Sequence, residues 1–345
     1  ALLMTGFGIR DSIANIADDQ FDNIMVYDFA VLFDEPKNTT EQQTFQTDTA
    51  SLLSKCVFVT TDSLKVDTRD GAKTTNVIAT GDPKIGELMN LHTLKQEKLS
   101  FPTDGGVLIS EKLAQLNGIA AGDTIHVTLD DARELDLTVN GVFENFVYNY
   151  VLMSPETYAS VYQHSGEYDT AFANAAGADK HAAAAALLDD YGAANVTVTA
   201  DIRERVDNMM ASLNLVIFAV IISAGALAFV VLFNLSNINI TERIREIATI
   251  KVLGFYAPEV GAYVFRENLV LTLLGALAGI PLGLWLHAFV MSQLNFEMVN
   301  FHAVIKPISY LFAVALTFVF AFCVDIIMRP KLEKINMVES LKAIE

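Results

Sequence analysis

The sequence is poor in cysteine, with only Cys56 and Cys323 among its 345 residues. Cys323 lies inside an apolar run and Cys56 lies in a charged region, so a disulfide between them is not expected. The six histidines are scattered at His92, His126, His164, His181, His287 and His302. We therefore predict a protein that folds without disulfides and without a bound metal ion.

The sequence also lacks the short motifs of common catalytic sites. It contains no Gly-x-x-x-x-Gly-Lys-Ser/Thr phosphate loop, no His-Glu-x-x-His and no Gly-x-Ser-x-Gly. We therefore predict no catalytic residues, no cofactor and no ATP binding by this chain. An enzyme is the least favoured interpretation of the sequence.

Three long stretches contain no Asp, Glu, Lys or Arg: residues 208–241, 268–296 and 307–324. A bilayer core of about 30 Å needs about 20 apolar residues in a helix, so each stretch can cross it. Residues 1–8 have the composition of the end of a further membrane helix. We therefore expect a fragment, or C-terminal half, of a membrane protein whose first membrane helix is mostly missing.

The charges that the apolar stretches lack are concentrated in the first part of the chain. Residues 10–207 hold 14 Lys and Arg against 32 Asp and Glu, whereas residues 208–345 hold nine of each. The acidic part is long enough for a core of its own and for two subdomains. Its negative charge argues against nucleic acid as a partner, because phosphate binding needs clustered Lys and Arg.

The basic residues around the apolar stretches predict the orientation in the membrane. Eight of the nine lie on one side: Arg243, Arg245, Lys251, Arg266, Arg329, Lys331, Lys334 and Lys342. Only Lys306 falls between the second and third stretches. The positive-inside rule makes the basic side the cytoplasm and places residues 10–207 outside. An outer domain without disulfides indicates a bacterial cell membrane.

Residues 10–207 contain signals for both strands and helices. Residues 106–118 predict a short strand and then a helix that begins at Ser110 and ends at Gly118, and Gly122 precedes the strand 124–129. The whole chain is therefore predicted to combine an α+β extracytoplasmic domain with an α-helical transmembrane bundle. This bundle would contain three complete helices and the tail of a fourth.

A compact charged helix pattern, residues 239–254, lies between the first two apolar stretches. Its apolar face is formed by Ile240, Ile244 and Ile247, and its charged residues are Glu242, Arg243, Arg245, Glu246 and Lys251. Leu253 and Gly254 close the pattern, and glycine favours the left-handed backbone conformation after a helix. An ordinary juxtamembrane helix has the same pattern.

The segment 241–255, Thr-Glu-Arg-Ile-Arg-Glu-Ile-Ala-Thr-Ile-Lys-Val-Leu-Gly-Phe, resembles the signature after the second membrane helix of FtsX/MacB-type ABC transporter permeases. The matching residues are Glu242, Arg243, Arg245, Glu246, Ile247, Leu253 and Gly254. The glycine-rich stretch 266–283 and the unit 106–123 resemble further parts of that family. The resemblance implies four membrane helices with a large domain between the first two, and a separate ATPase that docks on this segment.

The following segments are then expected: 1–9, tail of the first membrane helix; 10–207, extracytoplasmic domain with stalk helices at both ends; 208–233, membrane helix; 234–262, cytoplasmic coupling segment; 263–291, membrane helix; 292–306, short external loop; 307–328, membrane helix; 329–345, cytoplasmic tail. Arg243 and Glu246 are expected to face the ATPase, and Ile244 and Ile247 to pack.

The resemblance also implies a function. The chain would be a permease subunit that couples an ABC ATPase to the outer domain, for export or extraction of a peptide, lipoprotein or similar substrate by mechanotransmission. A signalling scaffold of the FtsX type, which controls a cell-wall hydrolase, is the alternative. Expected partners are the ATPase, a second permease half or subunit, and an extracellular partner or substrate.

Small residues in the apolar stretches predict close helix packing. Gly275, Gly279 and Gly283 share one helix face, Pro281 lies beside them, and Gly225 belongs to a weaker patch in the first stretch. The glycine face fits packing within one bundle and an interface between subunits equally well.

Two further groups have alternative interpretations. Asp325 is expected to form an ion pair with Arg329, four residues on, rather than to relay protons. The aromatic residues Phe143, Phe146, Tyr148 and Tyr150 fit either the edge of a sheet core, which we favour, or a substrate or partner patch.

Overall fold

The computed structural model describes residues 1–69, 71–103, 105–129, 131–294 and 299–335. The chain divides into two compact units. The helical unit comprises Ala1–Ala14, Met210–Leu294 and Phe301–Glu345, and the sheet unit comprises Asn15–Met209 and Asn295–Asn300. Part of the predicted loop 292–306 and the predicted tail beyond residue 335 lie outside the described residues.

The described residues form ten α-helices and nine β-strands. The helices are α1 (Leu2–Ile13), α2 (Ile16–Asp18), α3 (Thr39–Asp48), α4 (Glu111–Asn117), α5 (Pro155–Tyr162), α6 (Lys180–Asp190), α7 (Thr199–Glu242), α8 (Ile244–Val252), α9 (Ala257–Gln293) and α10 (Pro307–Glu333). The strands are β1 (Phe29–Phe33), β2 (Leu53–Thr68), β3 (Gly71–Ala79), β4 (Val107–Ser110), β5 (Thr124–Thr128), β6 (Glu134–Phe143), β7 (Tyr150–Met153), β8 (Thr170–Ala175) and β9 (Ala193–Val198). A π-helical turn, Asp19–Ile24, follows α2, and a 3₁₀ turn spans Pro83–Glu87.

Six strands of the sheet unit close into a small barrel. Their order is β3-β7-β4-β6-β5-β2, and β2 pairs again with β3. The pairs β3–β7 and β4–β6 are parallel and the others are antiparallel. Alternate residues such as Leu64, Val77 and Ile125 point into the barrel and form its core. This closure leaves the barrel strands without an open edge.

The long strand β2 also belongs to a second sheet. Residues 53–59 pair with β8, and the order continues as β2-β8-β1-β9. The core of this sheet contains an aromatic group in which the Phe33 and Phe45 rings lie 5.0 Å apart, edge to face. The sheet unit thus has two apolar cores that share one strand, as the length of the acidic part predicts.

Capping residues fix several helix ends of the sheet unit. Asn38 and Glu41 form a reciprocal capping box at the start of α3. Ser154 accepts a hydrogen bond from the backbone N–H of Thr157 and caps α5. Gly118 has a φ of +65° after α4, as predicted, but the Ser110 hydroxyl accepts from the Tyr150 N–H and does not cap that helix.

The helical unit contains three helices that are long and apolar enough to cross a membrane: α7, α9 and α10. Together with the mixed sheet they confirm the expected combination of an α+β domain with three helices able to cross a membrane. Many large apolar side chains on these helices are exposed, which is expected of surfaces that face lipid tails. Pro281 lies inside α9, which continues through it.

Candidate functional site

The predicted charged helix is divided in two by Arg243. Helix α7 ends at Glu242, Arg243 has φ −101° and ψ 18°, and α8 begins at Ile244. The backbone N–H of Arg243 still bonds to the Asn239 carbonyl at 3.2 Å. The interruption is therefore one residue wide. The sequence predicted a single helix because the apolar spacing continues across this position.

One face of α8 is buried in the helical unit. Ile247 and Ala248 are fully buried, and Ile247 packs in an apolar cluster with Ile240, Val260 and Met328. Ile244, which was also predicted to pack, is half-buried. The cluster joins α8 to residues of α7, α9 and α10, so α8 is fixed on the bundle by its apolar face.

The end of α8 is closed by a Schellman motif. Gly254 has a φ of +95°, as its position predicts. Its N–H bonds to the Lys251 carbonyl at 3.1 Å, and the Phe255 N–H bonds to the Ile250 carbonyl at 3.4 Å. Glu259 then accepts a 2.9 Å hydrogen bond from the Tyr256 N–H at the start of α9. Both sides of the turn are therefore held by specific hydrogen bonds.

This turn exposes a continuous apolar surface, which we call the turn patch and define as Val252, Leu253, Phe255 and Tyr256. Leu253 and Tyr256 are 72% and 76% exposed. The charged residues Glu242, Arg245 and Glu246 are exposed on the same segment. Contiguous exposed apolar side chains with charged neighbours are typical of a surface that binds a protein or a membrane.

Two basic residues of the segment bind within the chain. The Arg243 guanidinium pairs with the Glu267 carboxylate of α9, and the Arg243 side chain remains 38% exposed. The Lys251 ammonium donates to the carbonyls of Leu332 and Glu333 at 2.8 and 3.1 Å. These contacts connect the segment to α9 and to the end of α10.

A buried polar network ties the three long helices together near this segment. The Asn268 amide of α9 donates to Ser236 Oγ at 2.9 Å and to Asp325 Oδ1 at 3.4 Å, and it accepts from the Asn239 amide at 3.2 Å. Asp325 was expected to pair with Arg329, but its hydrogen bond goes to Asn268. The sequence shows four polar residues in or next to the apolar stretches, but it does not show which of them form hydrogen bonds with each other.

The glycine face of α9 lies partly against α1. A Cβ built on Gly283 would lie 2.7 Å from the Met4 Cβ, and one on Gly279 would lie 3.0 Å from the Ala1 nitrogen. A Cβ on Gly275 would meet nothing within 4 Å, and one on Gly225 would lie 3.1 Å from the Phe320 ring. Packing within the bundle therefore involves Gly283 and Gly279, whereas Gly275 borders a cavity of about 460 Å³.

Neither the cysteines nor the metal-ligating residues add a second candidate site. Burial raises the pKa of the Cys56 thiol to about 12, and the charge of Asp82 adds to the shift. This thiol is therefore protonated and unreactive at neutral pH. Within the described ranges, His, Cys, Asp and Glu form no group of three that could hold a metal ion.

Comparisons with known proteins found one matching family and several similar solved structures. Residues 216–337 match the FtsX-like permease C-terminal family. The comparison with curated proteins gave no match. Three similar solved structures each cover between 39% and 54% of the chain. The periplasmic region of MacB from Actinobacillus actinomycetemcomitans is 11% identical, with a TM-score of 0.32, over 54% of this chain and 94% of that one.

The second is the extracellular domain of the noncanonic ABC-type transporter YknZ from Gram-positive bacteria. It is 15% identical, with a TM-score of 0.32, over 50% of this chain and 98% of that one. The third is a domain of a putative permease from Porphyromonas gingivalis. It is 19% identical, with a TM-score of 0.25, over 39% of this chain and 68% of that one.

The family match includes the segment on which the resemblance was first seen. It begins inside α7 and extends beyond α10, so it contains α8, the turn patch, the polar network and the glycine face of α9. This confirms the resemblance over these residues. Residues 216–337 are thus similar to the FtsX-like permease C-terminal family, and they include helices that are long and apolar enough to cross a membrane.

Proposed function

We propose that the chain is the non-catalytic permease subunit of an ABC-type transporter and binds a separate ATPase through residues 242–256. The observation that carries this proposal is the turn patch, in which two exposed aliphatic side chains precede Gly254 and two exposed aromatic side chains follow it. Aromatic residues in a compact apolar patch dominate many protein interfaces. The basic residues counted above favour a cytoplasmic position for this patch, on the side where ATP is available.

The surroundings of the patch suit force transfer. Helix α8 is fixed by its buried face, Arg243 binds α9, and Lys251 binds the end of α10. A push on the patch would therefore move the ends of three membrane helices together. A tightly packed core changes between discrete arrangements and does not deform continuously. A small displacement of a segment packed in this way therefore moves the helices in contact with it.

Helix α7 provides the route from the coupling segment to the sheet unit. It runs without interruption from Thr199 to Glu242, 44 residues, which corresponds to about 66 Å of helix. Its first turn carries Arg203, which bonds to Asp18 and Asp22 at 2.5 Å each. We infer that movement of α8 reaches the sheet unit along α7, which is mechanotransmission. Export or extraction of a peptide, lipoprotein or similar substrate would use that movement.

The test is co-purification of an ABC ATPase with the chain from the cells that produce it. Leu253→Glu and Tyr256→Glu should each abolish co-purification, because they place a charge in the centre of an apolar contact. Leu94→Glu is the matched control, since Leu94 is an exposed apolar residue of the sheet unit at 53% exposure. Unchanged assembly with both turn-patch variants would contradict the proposal.

A cross-link identifies what covers the patch. With Cys56 and Cys323 replaced by serine, Tyr256→Cys should form a specific cross-link to the ATPase with a short bifunctional reagent. A membrane contact would instead be revealed by labelling of Tyr256→Cys with a lipid-bound probe and not with the ATPase. That result would reject the ATPase interface while leaving the family match intact.

Activity measurements separate transport from signalling. In the transport case, ATP hydrolysis by the assembled complex should rise when substrate is added. In the scaffold case, the same complex should activate a cell-wall hydrolase and show no substrate stimulation. Both measurements use the wild-type complex, with the Leu253→Glu variant as the uncoupled control.

A further inference from the structure

The sheet unit contains a half-open cavity of about 530 Å³. The cavity is lined by residues of β2, β3, β7 and β8. Tyr27, just before β1, and the loop before β7 complete its wall. Its volume falls within the range of small-ligand sites in proteins. The residues that carry the argument are Tyr27, Asp62, Tyr148, Asn149, Tyr150 and Phe172.

Aromatic rings form much of the wall. The Tyr27 and Phe172 rings stack at 4.3 Å with planes 2° apart. Tyr148 is 37% exposed and has a φ of +60°, an uncommon conformation for a residue with a large side chain. Burial raises the pKa of Tyr150, and the nearby Tyr27 and Tyr148 hydroxyls raise it further. The Tyr150 phenol is therefore neutral near pH 7. Its side chain also lines the cavity.

A buried hydrogen-bond acceptor lines the cavity without a partner. Asn149 is 7% exposed, and its side-chain Oδ1 has no hydrogen-bond partner among the described residues. Such an atom costs about 1–3 kcal/mol when it is buried unpaired. Its neighbours do not supply the donor, so the geometry calls for an N–H or O–H from a ligand.

The cavity also favours positive charge. Asp62 lines it, and its two oxygens accept from the Tyr158 hydroxyl at 2.9 Å and the Ser63 N–H at 2.7 Å. Each carboxylate oxygen has a second lone pair, so Asp62 can still accept from a ligand. A second carboxylate, Asp169, lies behind Thr61 at 3.3 Å from its hydroxyl. The described lining residues include no Lys or Arg.

We propose that this cavity is a binding site for a protonated amine or guanidinium, as carried by a lysine or arginine side chain or by a polyamine. The cation would donate to Asn149 Oδ1, pair with Asp62 and lie against the tyrosine faces, which attract cations. The excess of 18 negative charges in residues 10–207 raises the local concentration of such ligands.

This site is separate from the turn patch and goes beyond the proposed function. Binding at the cavity does not require the ATPase. A failure of the ATPase interface would therefore leave this proposal intact, and failure here would leave the proposed function intact. In a permease of this kind the site would give the sheet unit a preference for basic substrates.

The proposal is tested by measuring the binding of three probes to the chain in detergent by calorimetry. The probes are the peptide acetyl-Gly-Lys-Gly-amide, the same peptide with norleucine in place of lysine, and spermidine. Norleucine replaces the ammonium by a methyl group, so the pair isolates the charge. The lysine peptide should bind at least about tenfold more tightly, the effect of a hydrogen bond to a charged group. Tight binding of spermidine as well would assign free amines to the site.

Two variants and two matched controls locate the binding. Asn149→Leu and Asp62→Asn should each weaken binding of the lysine peptide about tenfold or more. Asn195→Leu, on an exposed position of β9, and Asp136→Asn, which is also exposed, should leave it unchanged. Asn149→Leu should keep or raise the melting temperature, because it removes an unpaired buried acceptor.

Two results would overturn the proposal. One is equal affinity for the lysine and norleucine peptides, which would show that the charge is not recognised. The other is undiminished binding by Asn149→Leu and Asp62→Asn when both retain the wild-type melting temperature. Absence of binding by all three probes to the folded wild-type chain would overturn it equally.

Discussion

At the scale of single residues, Gly254 is the position where backbone conformation limits the choice of side chain. Its φ of +95° allows the Schellman hydrogen bonds that close α8 and display the turn patch. Gly254→Val should strain this turn by about 1–3 kcal/mol, because a β-branched residue disfavours positive φ. The expected result is loss of co-purification with the ATPase.

Gly254→Asn is the matched control for this prediction. Asparagine adopts positive φ more readily than other residues with a side chain, so assembly should be largely retained. Because a Cβ at this position meets no atom within 4 Å, any difference between the variants comes from the backbone and not from a clash. Equal assembly of the two variants would show that the turn geometry is unimportant for docking.

Positive φ also shows which residue-scale features could be predicted. Gly118 and Gly254 were placed correctly from sequence, because glycine after an apolar helix pattern has a recurrent meaning. The φ of +60° at Tyr148 could not be predicted, since tertiary contacts impose it on a residue that ordinarily avoids it. The predicted ion pair between Asp325 and Arg329 was wrong for a similar reason. Local spacing favoured Arg329, whereas packing of separate helices supplied Asn268.

At the scale of elements, the packing of α9 against α1 depends on the absence of side chains. Gly283→Ala should destabilise the helical unit, because the new Cβ would lie 2.7 Å from the Met4 Cβ and Met4 is itself buried at 3% exposure. Overpacking of this kind typically costs about 1–3 kcal/mol. The measurement is the melting temperature of the purified chain in detergent.

Gly275→Ala is the internal control, on the same helix face two turns away. Its Cβ would meet no atom within 4 Å, so the melting temperature should fall by far less than with Gly283→Ala. Alanine is also the better helix former, which favours this variant. Equal destabilisation by the two substitutions would indicate that the contact with α1 is not the cause. Helix propensity or an external contact would then determine the effect of alanine at these positions.

The polar network provides a second test of how the long helices are joined. Asn268→Ala would leave Ser236, Asn239 and Asp325 without their common partner, and all but Asn239 are buried. Loss of about 1–3 kcal/mol of stability is expected for unpaired buried polar groups. Asn234→Ala, at an exposed position of α7, should change the melting temperature little. Equal melting of both variants would mean that the network contributes no stability.

Secondary structure was predicted well where the pattern was strong and local. Helix α4 ends before Gly118 as expected, and the three apolar stretches form α7, α9 and α10. The short strands β7 and β8 have no strong local pattern, because each has only four to six residues and pairs with strands distant in the sequence.

At the scale of the whole molecule, the sheet unit shows how one strand can serve two cores. The first half of β2 pairs with β8 and its second half pairs with β3 and β5. A break in β2 would therefore weaken the barrel and the second sheet together. This connection follows from 16 consecutive strand residues, longer than the usual strand, and composition alone could predict two subdomains but not their shared element.

The same architecture leads to a prediction about what the fold does not need. Cys56 and Cys323 are free, and the apolar cores contain many fully buried side chains such as Phe29, Phe143 and Leu113. Two cores of this kind can supply the folding free energy, so the chain in detergent should melt at the same temperature with and without a chelator and a reductant. The measurement is the tyrosine circular dichroism signal on heating, which reports on the sheet unit because Tyr27, Tyr150 and Tyr158 are packed there. A drop of several degrees with chelator would reveal a metal site that sequence and structure did not indicate. A drop with reductant alone would require a disulfide, and therefore a bond between two chains.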